Sequence, residues 1–257
     1  MERSMKTVNL VATENMKVNK IRLEVKKRVT EIENPFNSKR SSTIDSVYDN
    51  TYNFERGKIY GIICEPGEGG ASVSCLLSNQ IPWEDEKIYF DGIEVKNTDI
   101  GEISWYVGKP VYSQGFIKKE ISVREALEYA AAQCRRYESL GDIVSEFGLK
   151  TSRWNQKLTI YSYERWRASL AIGYASYKIV YCFPWLDTCC FYNWIINSSV
   201  FRFFKKLRDE GNILILPTIR RVNVEGFVDE IIEINNPGTD RIVADNQCFK
   251  DAFWKSV

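Results

Sequence analysis

The stretch YGIICEPGEGGASVSCLL, Tyr60 to Leu77, holds the residues of this chain best placed to do chemistry. An apolar run, Ile59 to Ile63, enters a bend containing Gly67, Gly69 and Gly70, and the small residues from Ala71 onward predict a helix directly after it. Strand, glycine bend and helix N-terminus together offer backbone N–H groups and a positive helix end to an anion, the arrangement that cradles phosphate. Yet the loop has no lysine, and it adds two carboxylates, Glu65 and Glu68. Loss of a charge-assisted hydrogen bond costs about 1.5–3 kcal/mol. Like-charge repulsion adds to that, so phosphate affinity in this loop falls at least ~tenfold.

Other chemistry is scarce. The chain of 257 residues contains no histidine, which removes His-dependent nucleophile triads and imidazole-based zinc centres. Its 7 cysteines are an odd number without a CxxC pair, with Cys189 and Cys190 adjacent, and read as reduced thiols rather than a disulfide framework or a metal site. Carboxylates, thiols or a cofactor are what remain. A formal net charge of +1 provides no overall field to draw the chain to nucleic acid or an anionic surface. The 7 Trp, 14 Tyr and 13 Phe cluster in Trp154–Trp166, Tyr174–Trp194 and Phe201–Phe204. They sit on apolar segments with no basic groove, so they predict core or subunit interface, not a nucleic-acid stacking platform.

With 44% hydrophobic and 27% charged residues the chain is globular, long enough for one large α/β domain or one domain with a small subdomain. The longest apolar run, Ile179 to Leu186, is far shorter than the ~18 residues a membrane span needs. With no signal-peptide core at the N-terminus, the expectation is a cytosolic chain that reaches a membrane only through a partner.

The elements that must position the loop follow from periodicity. Val18 to Val29 alternates Ile21, Leu23 and Val25 with charged residues, as a half-buried strand does. Asn34 to Asn50 is rich in turn formers and reads as a loop leading to a second strand near Asn53. Lys87 to Val95 predicts a strand broken by an Asp-Gly turn, and Ile103 to Lys109 another strand. Ser122 and Glu125 form a capping box ahead of a helix, and further helices are expected over Gly141–Phe147, Tyr163–Tyr174 and Tyr192–Arg208, the last capped at Gly211. Apolar strands over Lys178–Phe183, Asn212–Pro217 and Glu230–Asn235 alternate with these helices, which predicts a mainly parallel sheet covered on both faces. A dinucleotide-binding fold fits poorly, since Ser72 stands where its third glycine belongs.

From about Glu55 to Asn235 this order of landmarks resembles the ATP-binding cassette, the nucleotide-binding subunit of ABC transporters. The family's phosphate loop reads GxxGxGK[ST]. With Gly67 and Gly69 aligned, Cys64 stands at its first glycine, Glu68 between the two aligned glycines, Gly70 at the lysine and Ala71 at the magnesium-binding hydroxyl, with Ser72 a substitute hydroxyl beside it. Lys109 takes the place of the family's glutamine, with Gln114 five residues on as a shifted alternative. The LSGGQ signature has become Ile160, Tyr161, Ser162, Tyr163 and Glu164, while Arg165, Arg167, Leu170 and Ala171 match the helix behind it. At the acidic strand end Cys182 replaces the magnesium aspartate and Phe183 the catalytic glutamate; Pro184, Leu186 and Asp187 still match. Ile219, after Thr218, stands at the switch histidine, and Phe36 at the adenine-stacking aromatic.

The resemblance implies a P-loop NTPase-like cassette occupying 1–257 as one domain: a flexible 1–16, α/β and antiparallel β parts over 17–109 and 178–257, and a helical subdomain over 110–177, its helices from about Ser122 to Lys157. It also implies a pseudo-ATPase with no catalytic residue and no cofactor, ATP and magnesium binding being weak or absent. An active ABC ATPase subunit and polytopic membrane subunits are the expected partners. Through them the chain would sit at the inner face of the cell membrane, with no direct insertion and no nucleic acid bound. The alternative is a free-standing binding protein or enzyme that takes another small ligand in the same cleft, for which Glu65, Glu68 and Lys109 are the candidate polar groups. The aromatic, cysteine-rich segment Cys182–Trp194 is expected to help form a subunit interface.

Overall fold

The structure, a computed structural model, describes residues 17–33, 42–113, 118–134, 139–160 and 164–234. The expectations for 1–16, Phe36, Gln114, Tyr161, Ser162 and Tyr163 lie outside the described residues.

Strand β1 (Lys20–Val25) buries Ile21, Leu23 and Val25 on one face, the period of two expected of a half-buried strand. The predicted single strand to Val29 is in fact two: the chain turns at Lys26 and Lys27 and begins β2 (Arg28–Glu33). This pairs antiparallel with β3 (Ser42–Val47) from Arg28↔Val47 to Glu33↔Ser42. The expected loop from Asn34 to Asn50 therefore contains a strand, whose ladder satisfies backbone groups that the turn-forming composition suggests are solvated. Strand β4 (Asn50–Glu55) returns along β1. Strand β5 (Ile59–Ile63) leads through the glycine bend into α1 (Gly70–Leu77). Strands β6 (Lys87–Phe90) and β7 (Ile93–Val95) form the Asp-Gly hairpin, with φ of 49° at Asp91 and 90° at Gly92, the two left-handed residues a type I′ turn requires. A four-stranded sheet results, ordered β4-β1-β6-β7.

Helix α2 (Asn97–Ile103) runs straight into β8 (Ser104–Tyr106). The predicted capping box opens α3 (Val123–Cys134): Glu125 N–H donates to Ser122 Oγ at 3.2 Å and Ser122 N–H to Glu125 Oε2 at 2.7 Å. A second box, Ser139 with Asp142, opens α4 (Leu140–Glu146), and α5 (Arg165–Ala175) packs on both helices. Strand β9 (Val180–Cys182) and a single helical turn, α6 (Thr188–Phe191), follow. The helix expected from Tyr192 to Arg208 is broken into a π turn (Tyr192–Asn197), a 3-10 turn (Val200–Phe203) and α7 (Phe204–Asp209). The serine pair between the first two breaks it: Ser198 Oγ donates back to the Trp194 carbonyl and Ser199 is left-handed, φ 62°. Gly211, φ 86°, follows α7 as the predicted terminator. Strands β10 (Ile213–Thr218) and β11 (Glu230–Glu233) complete the chain.

Five strands form a fully parallel sheet, ordered β11-β5-β10-β9-β8, with β10 between β5 and β9. Successive residues of its strands feed two cores. Ile59, Tyr181, Phe183, Leu214 and Leu216 pack with α3, α4, α5 and α7. Tyr60, Ile62, Val180, Cys182, Ile213 and Ile215 pack with α1 and the antiparallel sheet. Burial on both faces is why these strands read as continuous apolar runs.

Candidate functional site

The glycine bend lies at the carboxyl end of β5, where an open α/β sheet places its ligands. Gly67 and Gly69 are left-handed, φ 86° and 103°, and Gly69 N-caps α1. This aims backbone N–H groups into a concavity, as in other anion nests. A side chain from the β2–β3 hairpin fills it. Asp45 Oδ1 accepts from Gly69 N–H at 2.9 Å and Oδ2 from Ser72 N–H at 2.7 Å, with Asp45 only 2% exposed. Next to it Ser46 N–H donates to the Gly67 carbonyl at 2.9 Å. The strand lies so close that a Cβ on Gly69 would stand 2.7 Å from Val47 Cγ1 and 3.0 Å from the Ser46 carbonyl oxygen.

The same end of the hairpin is pinned by Arg28, which pairs with Val47 in the register. Its guanidinium donates to Thr30 Oγ1 at 2.6 Å, to the Pro82 carbonyl at 2.7 Å and to Glu86 Oε1 at 3.1 Å. The Arg28 and Glu86 side chains are 7% and 1% exposed. A buried pair of this kind stands only because its remaining hydrogen bonds are made.

Deeper in the bend a Cβ on Gly70 would meet Cys64 Sγ at 2.4 Å, with Pro217 and Trp185 next nearest at 3.4 and 3.5 Å. Trp185 Nε1 donates to the Cys64 carbonyl at 3.2 Å, closing that side. Burial, then the neighbouring Asp45 and Glu68 carboxylates, push the Cys64 thiol up to about 12. It is protonated at neutral pH and is no nucleophile. Burial likewise raises Cys75 to about 12 and Cys182 still further. Ser72 Oγ is fully buried and has no hydrogen-bond partner among the described residues. Glu68 is turned to its own loop, where Oε2 accepts from Glu65 N–H at 2.9 Å.

Solved structures of similar fold are numerous. A structure described as the ATP-binding subunit of an ABC transporter matches over 83% of this chain and 85% of its own, at 17% identity and a TM-score of 0.56. A dimeric ATP-binding cassette in a post-hydrolysis state bound to ADP and Pi matches over 84% and 94%, at 14% identity and a TM-score of 0.58. The protein cbiO1 from Clostridium perfringens, part of the ABC transporter complex cbiONQ, matches over 91% and 94%, at 13% identity and a TM-score of 0.57. The fold is that of an ABC-transporter ATP-binding cassette. In sequence, no protein-family model matches the chain and no curated protein matches it.

On the cassette frame the remaining positions can be placed. Cys182 and Phe183, side by side at the end of β9, are both fully buried and belong to opposite cores; Phe183 meets Phe204 edge to face at 5.5 Å. Lys109 is half-buried, follows β8, and its ammonium donates to Gln80 Oε1. Ile160 is exposed, while Glu164 is buried at the N-cap of α5 with Arg167 Nη2 3.6 Å away. Ile219 is half-buried, and Thr218 before it donates to the Leu186 carbonyl at 2.7 Å. Ala71 is partly buried against the core of α1. Of the segment Cys182–Trp194, expected at a subunit interface, Cys182, Phe183, Leu186 and Phe191 are turned into the chain's own cores. Trp194 stacks on Trp166 at 4.9 Å; Asp187, Cys189 and Tyr192 are the residues left exposed.

Two residues central to this geometry, Asp45 and Trp185, escape a reading by motif. Asp45 is two residues from Val47 and shares its strand face. That alternation is the signal for it, and it becomes visible once Ser42–Val47 is read as a strand. Among the described residues no group of His, Cys, Asp or Glu is arranged to hold a metal ion, and no helix is long and apolar enough to cross a membrane.

Proposed function

We propose that this chain is a pseudo-ATPase cassette subunit, with a structural or regulatory role in a membrane transporter complex beside an active ATPase subunit and polytopic membrane subunits. The observation that carries the reading is the filling of the positions of the phosphate-loop lysine and the two acids with uncharged, packed atoms. Gly70, at the lysine position, is pressed against Cys64, while Cys182 and Phe183, at the two acidic positions, are fully buried. ATP hydrolysis depends on positioned cations and on a group that orients water, and none of these side chains supplies either. The residues present do not fit a magnesium-bound triphosphate, so ATP and magnesium binding is expected to be weak or absent. The well-formed hydrophobic cores favour a folded, working protein over a decayed one. Its place is the cytoplasmic face of a membrane, reached through the partner subunits. A cleft ligand of another kind is less favoured, because Glu68 and Lys109 are each bound to a local partner and do not converge.

The test is ATP turnover by the purified chain and by its complex with an intact cassette. The chain alone should show no magnesium-dependent hydrolysis. In the complex, replacing the partner's phosphate-loop lysine should abolish activity. Substantial hydrolysis by the chain alone, or by the complex after that replacement, overturns the reading.

A further inference from the structure

The glycine bend retains the donors that bind anions and spends them on its own chain. We infer that Asp45 is the resident anion of the phosphate loop, a tethered carboxylate that stands in for phosphate and holds the loop in its ligand-bound shape without nucleotide. The inference rests on reading Gly67–Ser72 as a cassette phosphate loop, as above.

Three observations meet in it. The first is the contact itself: each carboxylate oxygen takes a separate backbone N–H, at 2.9 and 2.7 Å, at the start of an eight-residue helix. These are the charge-assisted bonds that a phosphate would make at the same place. The second is the orientation of β3. Ile44 is 69% exposed while Asp45 is 2% exposed. A strand facing a core normally does the reverse, and its register is fixed by which residues must be buried. Here the aspartate shares the inward face with Val47, 1% exposed, so contact with the loop and burial of Val47 set the register together. The third is Ser72 Oγ, fully buried and without a partner at the same helix start. Both carboxylate oxygens of Asp45 are taken by backbone N–H groups and neither bonds this hydroxyl.

The tether puts dissolved anions at a disadvantage. With Arg28 bound to Glu86 and Ser46 bound to the Gly67 carbonyl, Asp45 is held at the loop at an effective concentration that a dissolved anion must exceed. The loop's order therefore becomes independent of nucleotide supply. A partner that requires an ordered phosphate-loop face on this subunit would find it at all times.

The experiment is amide hydrogen exchange over Gly67–Ser72 in the full chain, in chloride, formate or inorganic phosphate at equal ionic strength. In the wild type the loop amides should be protected, with about 10 mM of either anion changing nothing beyond chloride. In Asp45→Ala exchange should rise roughly tenfold, and formate or phosphate should slow it again. A folded Asp45→Ala protein whose loop exchange is unchanged, or responds to neither anion, overturns the inference, as does a wild type that responds as strongly as the variant. If Asp45→Ala does not fold, Asp45→Asn keeps the shape with one good acceptor oxygen. Faster exchange at Gly69 or Ser72 then supports the inference, and unchanged exchange at both sinks it. ATP turnover by either variant would count against the pseudo-ATPase reading; an absent anion response leaves that reading intact and removes this one.

Discussion

The two ends of the parallel sheet differ in a way that bears on the whole molecule. At the amino end, before β5, β10 and β11, charges are dense and exposed: Lys58 bridges Glu55 and Glu230, and Arg208 pairs with Asp209 and Asp229. At the carboxyl end, where this architecture performs its chemistry, Cys64, Cys182, Phe183 and Trp185 close the space, and the carboxylate that enters comes from the chain's own hairpin. The lesson is that a phosphate loop can be kept for its shape. Under the proposed function, the glycine turn and the helix start remain while packed atoms stand where the resemblance expects charged groups.

The largest effect expected at the carboxyl end is that of Phe183→Glu, which puts an acid back where the cassette resemblance expects one. Phe183 is fully buried and meets Phe204 at 5.5 Å. An ionised carboxylate there loses the ring's packing and gains no cation, at a cost of about 4–5 kcal/mol. Urea denaturation should show a greatly lowered midpoint or no cooperative transition, with no gain in ATP turnover. A stable variant that hydrolyses ATP would show that this end is a dormant active site and would erase the contrast between the two ends.

Next comes Arg28→Met, which tests whether the hairpin is held from outside the loop. It leaves Glu86, 1% exposed, with its charge unpaired, and one-sided removal of a buried ion pair costs about 3 kcal/mol. Exchange along β2 and β3 should rise together with exchange at Gly69 and Ser72. If the loop amides stay protected while the hairpin loosens, Asp45 is held by the loop alone.

Gly70→Ala is the third. The new Cβ would stand 2.4 Å from Cys64 Sγ, and overpacking of this kind costs about 1–3 kcal/mol. Combined with Cys64→Ala, the loss should be partly relieved, with a coupling of about 1 kcal/mol in a double-mutant cycle. Simple additivity would mean that the sulfur moves aside and does not occupy the lysine's space.

How much of this the sequence discloses depends on which interaction decides each element. Helix α3 is legible because its capping box is local, four residues of one segment. Strands β5 and β10 are legible because burial on both faces leaves a run with no polar interruption. Asp91-Gly92 is legible because left-handed backbone narrows the residue choice. Strand β3 is obscure because its inward residue is an acid whose reason for burial lies 24 and 27 positions away, on Gly69 and Ser72. The broken helix after Tyr192 is obscure for a related reason: Ser198 and Ser199 are tolerable within a helix, and the bond from Ser198 Oγ to the Trp194 carbonyl and the left-handed Ser199 exist only in the folded chain. The candidate site follows the same division. Positions such as Gly70, Cys182 and Phe183 are found by order along the chain, whereas what fills the space around them, Trp185 and Asp45, is set by tertiary contact.

The smallest effect belongs to the amino end and tests the other half of the comparison. Lys58 bridges Glu55 at 2.6 Å and also binds Glu230. Its hydrogen bonds to Glu230 and then Glu55 raise its pKa, and the bond from Lys58, followed by its charge, lowers that of Glu55. The signs follow from linkage. A depressed carboxylate contributes stability that is present above its unfolded pKa and is lost as pH falls through the folded value. A raised lysine contributes stability that is present below its unfolded pKa and is lost as pH rises through the folded value. Both contributions are therefore flat around neutral pH and fade at the extremes. These groups are exposed, so salt screens them. Lys58→Met should leave the denaturation midpoint near neutral pH almost unmoved, and should remove a small part of the acid-side slope at low ionic strength that roughly 0.5 M salt also removes. A large loss at neutral pH that persists in salt would mean the amino-end charges do structural work comparable to the packing at the carboxyl end, and the two ends would then differ in composition without differing in role.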